Sequence, residues 1–301
     1  MCDNCGCGTI QPFTIIPMQK SAATGEATGE LRHSHSQVHD GTSLHHHFSE
    51  PFHEHVHPHS HEPAHEHAHP HDHHHSHDHS QAHQAHTVSV HLSLLEKNDR
   101  LAERNRGYLK ARGLFAVNIV SSPGSGKTTL IARTLERAAA TLPAAVIVGD
   151  LETANDAARL RDKGAPVVQV TTGTVCHLDA DMIGRALEHL ALEGRRLLII
   201  ENVGNLVCPA SYDLGEALRV VLISVTEGED KPLKYPPIFR GAGVVIISKI
   251  DMLAASGLDS EELRRNIRAV APDAEILEVS ARTGEGMDQW IALLRSLSSE
   301  S

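Results

Sequence analysis

The chain is poor in cysteine, has no excess of positive charge and has no long hydrophobic run. It holds 27 basic against 38 acidic side chains, a net charge of −11. That balance excludes the electrostatic footprint of a nucleic-acid or anionic-membrane binder. No apolar stretch approaches the roughly 18–20 residues of a membrane span. The opening "MCDNCGCGTI" has neither a basic segment nor an apolar one, so no signal peptide is expected and the cytoplasm is the expected location. Thiols stay reduced there, so clustered cysteines point to metal binding or redox chemistry before disulfides. There are five cysteines in 301 residues, and three of them, Cys2, Cys5 and Cys7, fall within the first seven positions. The length allows one sizeable α/β domain with an extension, or two small domains.

Composition divides the chain in three. Residues 1–8 form a Cys motif. Residues 9–87 carry little that can build a core, and 23 of the 25 histidines lie between His33 and His91. The run "HEHVHPHSHEPAHEHAHPHDHHHSHDHS" has no apolar period, so a disordered, His-rich, metal-binding tail is expected over 9–87. From residue 88 the texture is that of a folded domain reaching 301. "VSVHLSLLEKNDRLAERNRGYLKARG" predicts a leading helix, with Val90, Leu94, Leu101, Tyr108 and Leu109 as its apolar positions and Gly113 as its stop. Seven apolar runs follow: "LFAVNIVS", "AAVIVGD", "PVVQVTT", "RRLLIIENV", "LRVVLISVT", "GVVIISKID" and "AEILEVSA". Helical patterns separate most of them. The expected fold is α/β, a P-loop NTPase whose mostly parallel sheet is covered by helices on both faces.

The first strand runs into "SSPGSGKTTL" and then a helix, the context of a phosphate-binding loop. Gly124, Ser125 and Gly126 turn backbone N–H groups toward phosphate oxygens, and Lys127 reaches the β- and γ-phosphates. Thr128 is placed to ligate Mg²⁺, and Thr129 follows at the helix start. Ser121 stands where the pattern has its first Gly. "IISKID" and "EVSARTGEG" look like the guanine-reading pair of GTPases. Asp251 accepts from guanine N1–H and the 2-amino group, Lys249 stacks on the base, and Ser280–Ala281 offers a backbone N–H to the guanine oxygen. Ser248 stands where that pattern has Asn. Asp150 in "VGDLETANDA" and Glu201 in "LLIIENVGN" end apolar strands on the phosphate-loop edge. They suit Mg²⁺ or the orientation of attacking water, and Gly204 suits a backbone N–H to the γ-phosphate. The catalytic candidates are Lys127, Asp150 and Glu201, with Thr128 and Asp150 for Mg²⁺.

Two thiols and an imidazole, Cys176 and His177 in "GTVCHLDADM" and Cys208 in "ENVGNLVCP", form a borderline-soft donor set suited to Zn²⁺ or Ni²⁺. Free cysteine is also commonly buried core. The amino-terminal triple, Cys2, Cys5 and Cys7, has no flanking strand or helix for a thioredoxin-type site and no second pair for a zinc knuckle. Sulfur-rich square-planar binding of Ni²⁺ fits it. Neutral imidazoles along the His tract bind the same ions.

Taken together, "CDNCGCG", the His tract, "NDRLAERNR", "SSPGSGKTTL", "GDLETANDA", "GTVCHLDADM", "ENVGNLVCP" and "SARTGEG" resemble the HypB family of nickel-incorporation GTPases. This family falls within the signal-recognition/MinD/BioD-type class of P-loop GTPases. The resemblance covers most of residues 88–301 and the extreme amino terminus. It implies slow, Mg²⁺-dependent hydrolysis of GTP and a GTP-dependent homodimer. It also implies the metallochaperone HypA as partner, and delivery of Ni²⁺ to the large-subunit precursor of [NiFe]-hydrogenase. By position it makes Cys2, Cys5 and Cys7 a tight nickel site, and Cys176, His177 and Cys208 a weaker Zn²⁺/Ni²⁺ site at a dimer interface. A metal-storage protein with a regulatory G domain, or a urease-type nickel chaperone, would share many of these residues.

Overall fold

The computed structural model describes residues 13–18, 79–151 and 155–299, with side chains of the leading helix from Ser93 onward. Its eight-stranded sheet has the order β1-β4-β3-β5-β2-β6-β7-β8. Seven strands are the expected apolar runs: β2 (Phe115–Ser121), β3 (Ala144–Asp150), β4 (Val167–Thr171), β5 (Leu197–Glu201), β6 (Leu218–Ser224), β7 (Val244–Ser248) and β8 (Glu275–Val279). They are mutually parallel. Parallel strands need crossovers, and these put helices on both faces, so nearly every residue of β2, β3, β5 and β7 is buried. Helices α2 (Lys127–Ala138), α3 (Asn155–Arg161) and α9 (Met287–Ser299) cover one face through Ile131, Leu160 and Trp290. The other face meets α1 (His79–Ala111) and α4 (Ala180–Glu188) through Leu109 and Ile183. Farther along, the same face meets α6 (Pro236–Arg240) and α8 (Ser260–Val270) through Phe239 and Ile267. The short helices α5 (Lys231–Lys234) and α7 (Leu253–Ser256) fill connections.

Three features differ from the sequence expectation. First, β1 (Thr14–Met18) falls in the stretch expected to be a disordered tail, yet it pairs antiparallel with β4 from Thr14↔Thr171 to Met18↔Val167. An open sheet edge offers a row of unpaired backbone groups, and a short segment containing Pro17 can join only there, where the missing N–H faces out. Second, α1 begins at His79, so the boundary expected at residue 88 lies inside a helix. The rest of the tail and the Cys motif lie outside the described residues. Third, the buried face of α1 is Asn98, Ala102, Asn105 and Leu109. Of the expected stripe only Leu109 is fully buried, and Tyr108 is exposed beneath the Arg112 guanidinium. Leu94 and Leu101 are half-buried, and the side chain of Val90 lies outside the described residues. The helix ends as expected, with Gly113 at φ 63°.

Candidate nucleotide and metal site

All seven parallel strands end on one edge, and the loops there build a cleft of about 540 Å³ lined by Gly124, Lys127, Thr128, Asp150, Glu201 and Gly204, among others. The phosphate loop leads from β2 into α2. Gly124 and Gly126 have φ of 76° and 102°, a region closed to most side chains. At Gly126 a Cβ would meet only the Lys249 side chain at 3.8 Å, so backbone conformation rather than room demands glycine. At Gly204 the reverse holds: a Cβ would lie 3.1 Å from the Pro123 backbone, so this glycine lets the segment after β5 press against the phosphate loop.

Lys127 is buried, and its ammonium donates to Ser121 Oγ at 2.8 Å. The serine that replaces the first loop glycine therefore steadies the lysine. Burial lowers the Lys127 pKa, opposed by the Glu201 charge. Thr128 Oγ1 donates to Glu201 Oε1 at 2.6 Å. Burial pushes the Glu201 carboxyl up to about 7, and its second oxygen is buried without a hydrogen-bond partner. The Thr128 hydroxyl, Glu201 and the nearby Asp150 are hard oxygen donors of the kind Mg²⁺ takes. The phosphate cradle beside them suits the Mg²⁺ complex of a nucleoside triphosphate.

A second cavity of about 190 Å³ adjoins the loop and is lined by Ser125, Thr129, Ser248, Lys249, Asp251 and Ala281 together with Met252 and Arg282. Lys249 is the one non-glycine with positive φ among the described residues, at 59°. Its ammonium donates to the Gly124 carbonyl at 2.7 Å. Ser248 Oγ donates to the Ser125 carbonyl at 2.7 Å, so serine supplies a tie to the phosphate loop at the position where the GTPase pattern has Asn. Asp251 Oδ1 accepts from Ser280 Oγ at 2.6 Å, which joins the two motifs expected to read the base.

The Cys176, His177 and Cys208 ligand atoms lie within 4.8 Å of one another, although 32 residues separate the two cysteines. The sulfurs are 2.8 Å apart and the thiols are free, well beyond a disulfide's roughly 2.05 Å. Burial, with the Cys208 sulfur alongside, pushes the Cys176 thiol up to about 11. Burial pushes His177 down to about 4. Its ring stacks on Tyr212 at 3.8 Å, and its buried Nδ1 has no hydrogen-bond partner. A neutral imidazole with an orphaned nitrogen beside two thiols is the donor chemistry of a soft or borderline cation. Cys2, Cys5 and Cys7 lie outside the described residues.

Several participants carried no signal in sequence. Glu227 Oε1 accepts from Ser125 Oγ at 2.7 Å and from the Ser224 N–H at 2.9 Å, holding the phosphate loop from the end of β6. Arg159 of α3 lines the cleft and donates to Thr129 Oγ1 at 3.2 Å. Asn202 Oδ1 accepts from the Leu178 N–H at 3.2 Å and the Val203 N–H at 2.9 Å. It thus joins the chain just past His177 to the "ENVG" segment. No spacing rule marks a residue whose partner lies in a different segment of the chain.

A phosphate loop between β2 and α2, strand-end carboxylates and a base-sized cavity define a P-loop nucleotide-binding protein of GTPase-like fold. The CobW/HypB/UreG nucleotide-binding domain model matches residues 115–278. The Escherichia coli (strain K12) hydrogenase maturation factor HypB is 53% identical over 209 residues, 69% of this chain and 72% of that protein. The Azotobacter vinelandii factor of the same name is 54% identical over 204 residues, 67% of each chain. The chain belongs to the HypB hydrogenase maturation factors. Among solved structures, Helicobacter pylori HypB in complex with nickel superimposes with a TM-score of 0.65 at 42% identity, over 68% of this chain and 96% of that one. Archaeoglobus fulgidus HypB gives 0.64 at 43% identity, over 67% and 99%. Among the described residues no helix is long and apolar enough to cross a membrane.

Proposed function

We propose that this chain is a cytoplasmic nickel-delivery GTPase. It binds Ni²⁺ as cargo at Cys2, Cys5 and Cys7 and at Cys176, His177 and Cys208, the latter set also taking Zn²⁺. It couples release to GTP binding and hydrolysis and passes the ion to the large-subunit precursor of [NiFe]-hydrogenase, with HypA as partner and a homodimer as the GTP state. The Gly124–Thr129 loop binds the phosphates. Thr128 and Asp150 hold Mg²⁺, which supplies charge neutralisation of the leaving phosphate when bound. Glu201 orients water, the Gly204 N–H meets the γ-phosphate, and Lys249, Asp251, Ser280 and Ala281 read guanine.

The observation that carries this reading is Asn202. One buried amide bonds the chain beside Cys176 and His177 and also the segment whose Gly204 presses on the phosphate loop. A γ-phosphate that draws Gly204 in therefore moves a common support of the Cys–His cluster. The deciding experiment is nickel transfer to apo-hydrogenase large subunit. GTP is expected to raise the rate several-fold over GDP. Transfer indifferent to nucleotide, with many ions retained, would instead favour storage.

A further inference from the structure

Every residue of β2 is buried, and the strand lies between β5 and β6 in the middle of the sheet. Its sequence, "FAVNIVS", is apolar but for Asn118 and the closing serine. Ala116 and Val120 pack on the face covered by α1, α4, α6 and α8, and strand alternation puts Asn118 between them on that face. Asn118 is 0% exposed, and an amide so enclosed is costly unless its polar atoms find partners. Its Oδ1 accepts from Asn202 Nδ2 at 3.2 Å, and its Nδ2 donates to Glu216 Oε1 at 3.1 Å.

Glu216 and Arg219 carry the line onward, with side chains only 6% and 13% exposed. Arg219 is the register partner of Asn118 on β6, and it gives Glu216 Oε1 both its Nε, at 3.0 Å, and its Nη2, at 2.9 Å. Glu216 Oε2 accepts from the Leu214 N–H at 2.8 Å. The same guanidinium turns onto the segment that carries Cys208. Its Nη2 donates to the Tyr212 carbonyl at 3.0 Å and its Nη1 to the Ala210 carbonyl at 3.4 Å. A Cβ at Gly241 would lie 3.2 Å from Nη1, so glycine there leaves the guanidinium its place. Cys208 opens the helical turn Cys208–Ser211, and Tyr212 just after it is the ring stacked on His177. At the other end of the line, Asn202 Oδ1 holds the Leu178 N–H, one residue past His177. Hydrogen bonds thus run unbroken through the interior, from beside His177 to two carbonyls that follow Cys208.

We propose that Asn118, Glu216 and Arg219 are positioning residues for the cluster of Cys176, His177 and Cys208. They form a single polar line through the core that sets one half of the cluster against the other. This rests on the metal reading given above for that cluster. None of the three is itself a ligand. Arginine suits the task because one planar fork holds a carboxylate and two backbone carbonyls at once, which fixes the Cys208 segment in direction as well as distance. An ammonium on a flexible stem can keep the carboxylate but not both carbonyls. β2 leads directly into the phosphate loop, so the line is anchored on the strand that carries that loop.

The test uses the full-length chain carrying Cys2→Ser, Cys5→Ser and Cys7→Ser, so that Cys176 and Cys208 are its remaining thiols. Two probes read them. Phenylarsine oxide bridges two neighbouring thiols with loss of water, and so reads their placement without metal. Co²⁺ reads metal binding through its cobalt–thiolate charge-transfer band, which histidines elsewhere in the chain do not give. Arg219→Lys keeps a positive charge beside Glu216 and is expected to weaken both kinds of binding several-fold. Asn118→Ala is expected to do the same. The two substitutions together are expected to cost less than the product of their separate effects, because both break one line. Melting temperature is read alongside. Arsenical and cobalt binding unchanged in Arg219→Lys, with or without a fall in melting temperature, overturns the proposal, and so do losses that multiply as if independent. Weakened arsenical capture in chains none of which shows the cobalt–thiolate band upholds the positioning and overturns the metal reading of the cluster instead.

Discussion

Glu201 sits in an environment that opposes its charge. Its carboxyl sits at about 7 in the folded chain against an ordinary 4.5. A raised acid pKa means that ionisation favours the unfolded chain. The penalty is absent below pH 4.5, grows as pH rises toward 7 and is complete above it. At about 1.4 kcal/mol per pH unit this amounts to roughly 3 kcal/mol. Glu201→Gln keeps an acceptor for the Thr128 hydroxyl and removes the buried charge. It is therefore expected to raise the melting temperature of the nucleotide-free protein at pH 8, to leave it unchanged near pH 4, and to slow GTP hydrolysis at least roughly tenfold. Melting curves at the two pH values check the first part; a variant no more stable than the parent at pH 8 would show that the carboxylate is already compensated. Asp251 is a specificity residue on the same footing. Its Oδ1 is held by Ser280 on the wall of the base cavity. Asp251→Asn is expected to shift preference from GTP toward XTP, since xanthine presents an acceptor where guanine has an amino donor. Competition binding reads this, and an unaltered chain that takes ATP as well as GTP would refute the guanine assignment.

Helix α1 is the element whose role changes most between sequence and structure. Its buried asparagines grip both segments that carry the Cys–His cluster. Asn98 accepts from the Ala180 N–H at 2.9 Å and donates to the Asp213 carbonyl at 2.8 Å. Asn105 donates to the Ala180 and Leu214 carbonyls at 2.8 and 3.2 Å. Arg106 adds a two-pronged pair to Asp213 at 2.7 and 3.0 Å, which lowers the Asp213 pKa against the effect of burial. Gly215 must be glycine for this approach, because a Cβ there would lie 2.5 Å from the Ala102 carbonyl. Asn98→Ala strands one buried and one part-buried backbone group. The expected loss is about 2–4 kcal/mol, with weaker Zn²⁺ or Ni²⁺ binding at Cys176, His177 and Cys208. Denaturant unfolding and metal titration measure the two effects. An intact metal affinity alongside lost stability would confine α1 to a scaffold role.

Over the whole molecule the nucleotide cleft and the Cys–His cluster share the strands' carboxyl edge, and linkage between them is reciprocal. Cys208 follows Gly204 by four residues, and Asn202 ties the chain just past His177 to the segment that leads to Gly204. In a chain with Cys2, Cys5 and Cys7 changed to Ser and residues 33–78 deleted, so that other ligands cannot mask the result, metal affinity is expected to differ several-fold between GTP-analogue and GDP states. Cys208→Ala is expected to abolish the difference. Equal affinities in the two states would make the cluster structural and move the switch elsewhere. Three ligands from one chain also leave a coordination position that a second copy across a two-fold axis can fill. The same titration at varied protein concentration reads that dependence.

Local pattern alone determined the seven parallel strands, the phosphate loop and the two motifs expected to read the base. Each depends on neighbours in sequence: a continuous apolar run, a glycine turn before a helix, a carboxylate at a strand end. Tertiary structure decided what depends on distant partners. β1 is five residues whose only reason to be a strand is an open sheet edge about 150 residues away in the chain. Asn98 and Asn105 fall outside the apolar stripe read from sequence, and they are buried because the backbone groups of residues 180, 213 and 214 are brought to them. Glu227 has no motif, yet it holds the phosphate loop through Ser125. Ser121 and Ser248 read as departures from a pattern. In the fold one hydroxyl meets Lys127 and the other meets the phosphate-loop backbone, because burial leaves each polar group only the partners that packing supplies.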